Sequence, residues 1–109
     1  MSEAAERYAE AIAAFDAANL AWGRFRVETL PRFPAAQLPA VEALRDALGE
    51  AALDIAELLA GNDPTPLHAT LTEALRLLSR YRAALPANVP RDDLDAAHDL
   101  LDEAAQSVT

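Results

Sequence analysis

The large side chains Tyr8, Ile12, Phe15 and Trp22 recur at alternating steps of four and three residues, with Asn19 in the same series. That spacing places them on one face of a helix. Ser2 suits its cap, and Gly23 weakens such a helix by roughly 1 kcal/mol relative to Ala without ending it. The first helix is therefore predicted over 3–30, stopped by the linker Pro31 to Leu38, where Pro31 and Pro34, with Pro39 beyond, bias the backbone away from the helical region. Pro39 then opens a second helix, 39–60, in which Val41, Leu44, Leu48, Ala51, Ala52, Ile55 and Leu59 share an arc and Gly61 supplies the C-terminal cap. After the turn Asn62-Asp63-Pro64, Thr65 and Pro66 start a third, 66–85, with the stripe Leu67, Leu71, Ala74, Leu75, Leu78 and Leu85. Pro86 and Pro90 separate it from a fourth, 91–107. Its first turn carries Asp92, Asp93 and Asp95 against the positive end of the helix dipole, and its inward face is Leu94, Ala97, Leu101, Ala104 and Val108.

Four amphipathic segments joined by short connections predict an all-α fold, an up-and-down antiparallel four-helix bundle, in one domain spanning 1–109. No strand-like alternation competes, and no repeat of solenoid period is visible. The composition supports a packed globule: hydrophobic residues are 52% of the chain and charged residues 25%. Much of that apolar fraction is alanine, so helices can approach closely while each contact buries little area.

Charge narrows the partners. A net charge of -9 opposes general binding to nucleic acid, which needs clustered cations to displace counterions. All basic residues are Arg, a vocabulary suggesting a GC-rich bacterial genome. There is no cysteine, so disulfides and thiolate chemistry are excluded. The N-terminus is acidic where a secretory signal would be basic, and no apolar run reaches membrane-spanning length; the expectation is a cytoplasmic protein with no membrane partner.

Candidate chemistry is sparse. Asp95-Ala96-Ala97-His98 is similar to one Glu-x-x-His pair of the di-iron bundles, but Asp95 points well away from the inward arc and no second pair accompanies it. His98 is instead expected at the core boundary, bonded to Asp102 one turn on. His68, in the first turn of the third helix, has no nucleophile beside it and lacks the His-x-x-Lys-Gly signature of phosphotransfer domains. Glu42, Asp46, Glu50 and Glu57 resemble in type the magnesium-holding carboxylates of all-α nucleotide pyrophosphohydrolases, yet they lie opposite the apolar arc. No catalytic, metal or cofactor residue is assigned.

Binding is the better reading. Leu53 interrupts the acidic face of the second helix, Leu20 and Val27 depart from the inward stripe of the first, and Leu77 and Leu100 lie at the edges of theirs. Phe25 and Phe33 have no periodic assignment, and Arg24, Arg26 and Arg32 beside them form a basic cluster along the chain. Phe25, Phe33, Leu53, Arg24 and Arg32 are therefore the predicted interaction residues. Asn19, Arg26 and Arg82 fall on inward arcs, either fixing register or reaching past the core edge. The predicted function is an interaction or regulatory module whose partner is another protein or a second copy. The alternatives are an acidic inhibitor that mimics nucleic acid at a basic protein site, and a carboxylate, metal-dependent nucleotide hydrolase.

Overall fold

The computed structural model describes residues 6, 8–61 and 67–108; the Ser2 cap and the turn and cap expected over 62–66 lie outside them. Four α-helices make up most of the described chain: α1 (Ala9–Arg24), α2 (Ala40–Leu59), α3 (Leu67–Ala84) and α4 (Asp92–Ser107). Three contacts fix their directions. Arg24 at the end of α1 reaches Asp93 at the start of α4 over 3.2 Å. Thr70 near the start of α3 donates to Asp54 in the second half of α2 over 2.9 Å. His68 Nδ1 lies 3.2 Å from the carbonyl of Ala105, near the end of α4. Neighbouring helices therefore run antiparallel, as an up-and-down bundle requires. α1 packs on α4, α2 on α3 and α3 on α4. One hydrophobic cluster draws buried residues from all four helices and from the α1–α2 connection.

The first helix differs from its expected form in phase and in ending. Its buried residues are Ala11, Ala14, Phe15, Ala18, Ala21 and Trp22, so the inward arc is centred on Ala18 and not on the larger side chains. The helix passes through Gly23 without interruption, but its α-geometry stops at Arg24 and a π-helical turn, Phe25–Thr29, follows. The Leu30 N–H bonds the Phe25 carbonyl five residues back. Pro31 explains the widening: it lacks an N–H, and its ring would clash with the carbonyl of Val27 in a regular helix. Two short 3₁₀ turns, Leu30–Arg32 and Pro34–Ala36, then carry the chain to α2.

The other helices follow their predicted stripes more closely. Pro39 caps α2 instead of entering it, and Val41, Leu44, Leu48, Ala51, Ile55 and Leu58 are buried. Leu59, expected inside, is 58% exposed and Ala52, one heptad earlier, is exposed too, because the buried arc is narrower than predicted and both lie on the same edge beyond it, with Leu58 taking the inward position. Gly61 has φ +91 and its N–H bonds the Leu58 carbonyl, a left-handed C-terminal cap that glycine adopts without steric penalty. In α3 the buried series Leu67, Leu71, Ala74, Leu78 and Tyr81 keeps the four-and-three rhythm. The aspartates at the start of α4 do more than offset the dipole, since Asp93 pairs with Arg24 of α1 and Asp95 with Arg82 of α3, the latter at 3.0 Å. Arg91 donates back to the Leu85 carbonyl over 2.8 Å and closes the α3–α4 connection.

Candidate interaction surface

Surface residues can act only from the frame that holds them, and where α1 ends that frame is an aromatic cluster. Trp22 and Phe25 stack with ring centroids 5.8 Å apart, and Tyr81 of α3 stands edge-on to both at 6.0 Å. Edge-to-face and offset stacking are the arrangements ring quadrupoles favour. The Tyr81 hydroxyl donates to the Ala36 carbonyl over 2.7 Å, tying the proline-rich connection to α3. Burial pushes the Tyr81 phenol up to about 12, since a phenolate there would lose its water. The spacing of the leucines around position 81 was a sufficient signal for this residue: it continues the steps Leu71, Ala74, Leu78.

This cluster corrects one predicted interaction residue. Phe25 is fully buried, following Ala18 and Trp22 at steps of four and three once the stripe is centred on alanine, so its ring is core and not surface. Phe33 is half-buried and leans on the same core. Arg24 and Arg32 are exposed, as is Leu53, 67% accessible among the exposed Glu42, Asp46, Glu50 and Glu57. Arg24 and Arg26 line different depressions: Arg24 one with Leu20, Gly23 and Val27, Arg26 a crevice of about 260 Å³ with Gln37, Glu42 and Arg45. The basic run is therefore contiguous along the chain but divided in space. Of the residues expected on inward arcs, Asn19 is half-buried and Arg26 exposed, while Arg82 extends past the core edge to Asp95.

The outward faces differ in character. Among the described residues the exposed large hydrophobics are Leu20 and Val27 on α1 and its π-helical extension, and Leu53 and Leu59 on α2. α3 and α4 contribute none to that set. Charges on α3 are partly self-compensated: Arg76 bonds Glu73 one turn earlier and holds its carboxyl below the usual carboxylate range. Among the described residues the carboxylates Glu42, Asp46, Glu50 and Glu57 of α2 have no ion-pair partner.

The positions considered for catalysis are used elsewhere or stand apart. Asp95 belongs to Arg82, and the near neighbour of His98 is Asp99, whose carboxylate lies 3.6 Å from Nδ1 and pairs with the imidazole only when it is protonated. Asp102, expected to hold His98, instead accepts from Gln106. No group of three or more potential metal ligands occurs among the described residues, and no helix there is long and apolar enough to cross a membrane. No protein-family model, curated protein or solved structure matches the chain.

Proposed function

We propose that the protein is an interaction module, a helical scaffold in the bacterial cytoplasm that binds another polypeptide through apolar residues set among charges. The observation that carries this reading is the restriction of the exposed large apolar residues to two of the four helices: among the described residues Leu20, Val27, Leu53 and Leu59 all belong to α1 with its extension or to α2. Single exposed leucines are ordinary on a soluble protein, but concentration on particular helix faces is the pattern of a contact surface. A photo-crosslinking residue placed at position 20 or 53 in cells should give discrete adducts with a polypeptide, whereas the same group at Ala83, on the exposed side of α3, should not. Equal labelling from all three positions, or from none, would sink the reading.

The carboxylates of α2 that have no ion-pair partner among the described residues favour a second reading, in which this acidic face occupies a basic site on another protein. Such association is steered by long-range charge and weakens steeply with salt. Complex formation that is indifferent to ionic strength would rule it out.

A further inference from the structure

We propose that two copies of the chain pair through the outward face of α1 as a two-fold symmetric antiparallel helix dimer, with Leu20 of each copy meeting at the axis. The proposal rests on the reading of the protein as an interaction module and names the surface and the occupant.

Leu20 is 71% and Val27 76% exposed, and they share one depression with Gly23 and Arg24, so they belong to one face. That face lies opposite the buried arc centred on Ala18, since Leu20 is two residues, or about 200° of helix, beyond it. Gly23 sits here in the last turn of α1, ahead of the π-helical turn, with nothing within 4 Å of where a Cβ would stand, so the folded monomer has no steric need of a glycine at a position where it weakens the helix by roughly 1 kcal/mol. Close approach of a second backbone supplies a reason for it.

Charge selects the register. In an antiparallel pair centred on Leu20, residues equidistant from it in sequence face one another across the axis. Within the α-helical part, Asp16 of one copy then meets Arg24 of the other and Ala17 meets Gly23, with both ion pairs generated at once by the symmetry. Asp16 and Arg24 are exposed, and the existing contact of Arg24 with Asp93 uses one terminal nitrogen, leaving further donors of the guanidinium fork available. The neighbouring register that brings Leu20 against Val27 instead would place the two Arg24 side chains together, a like-charge contact. A chain carrying net charge -9 repels its own copy, so a self-complementary face that pairs Asp16 with Arg24 is the kind of surface on which that repulsion is locally reversed.

The experiment is sedimentation velocity across a concentration series at low salt, with circular dichroism to confirm that each variant remains folded. Wild type should move from one chain towards two and stop there. Leu20→Glu, Asp16→Arg and Arg24→Asp should each weaken the dimer about tenfold or more. Gly23→Gln should weaken it while leaving the thermal midpoint of the monomer unchanged or raised. An equimolar mixture of Asp16→Arg with Arg24→Asp should regain the dimer, because each copy then meets its opposite charge. A wild type that stays monomeric at every concentration overturns the proposal, as does a dimer indifferent to Leu20→Glu and to both charge reversals. A dimer split by Leu53→Glu in place of Leu20→Glu also overturns it, yet leaves the interaction-module reading intact. Growth beyond two chains would show head-to-tail contact and overturn the two-fold arrangement.

Discussion

The α1–α4 seam and the α2–α3 seam solve the same packing problem with different side chains. Buried positions on α1 and α4 are largely alanine, among them Ala11, Ala14, Ala18 and Ala21 facing a partner with Ala97, Ala104 and Ala105. Those on α2 and α3 are mostly branched aliphatics, Leu44, Leu48, Ile55 and Leu58 against Leu67, Leu71 and Leu78. The alanine seam has the more extensive backbone approach, as small side chains allow. Its cohesion comes from many weak contacts at short range, whereas each leucine on the other side contributes roughly 1.5–3 kcal/mol by leaving water. One seam should resist enlargement and the other truncation.

Four changes test that difference. Leu71→Ala, at a fully buried site of the leucine seam, should lower unfolding free energy by about 2–5 kcal/mol in denaturant titration. Ala18→Leu, at the centre of the alanine seam, should lower it by about 1–3 kcal/mol through overpacking; a neutral result would mean that α1 and α4 can move apart freely. Alkaline titration examines Tyr81, which joins the end of α1 to α3. Its folded phenol titrates near 12 against an ordinary 10.0, so the protonated form is favoured by folding. The associated stability is complete below the unfolded value and is lost as pH rises through the folded one, on the order of 2 kcal/mol in all. Tyr81→Phe should abolish that alkaline step, measured as the difference between variant and wild type so that other titrating groups cancel. At neutral pH the same substitution should lower stability by about 1 kcal/mol, the net worth of the bond to Ala36, unless Ala36 finds water. Leu53→Glu, on neither seam, should move the thermal midpoint least, corresponding to within about 0.5 kcal/mol.

The same contrast explains what could be read from the amino acids. α2, α3 and α4 announce their inward faces because leucine and isoleucine stand out from their neighbours. In α1 the inward positions are mostly alanine, and alanine also occupies outward positions such as Ala13, so the apolar arc has little contrast. The large side chains drew the stripe off its centre, towards Tyr8, Ile12 and Asn19, which are half-buried, and this offset left Phe25 without a place. Tyr81 was missed for another reason: a polar handle disguised a residue whose spacing was regular. Leu20, Val27 and Leu53 were legible as outward-facing, since a strong hydrophobe opposite any plausible core arc is exposed whichever way that arc is trimmed. The division of Arg24 from Arg26 follows from their two-residue spacing, about 200° of helix, which grouping them as a run along the chain overlooks.

The order in which the two seams form follows from where they lie along the chain. α2 and α3 are consecutive, and the Thr70–Asp54 contact spans sixteen residues. The Arg24–Asp93 contact that closes α1 on α4 spans sixty-nine. Joining α1 to α4 thus requires a much larger loop to be closed, and loop entropy opposes that step until other contacts have shortened the path. The alanine seam, strongest in backbone proximity, is on these grounds the last to assemble, so its substitutions should appear chiefly in the rate of unfolding and those in the α2–α3 hairpin in the rate of refolding.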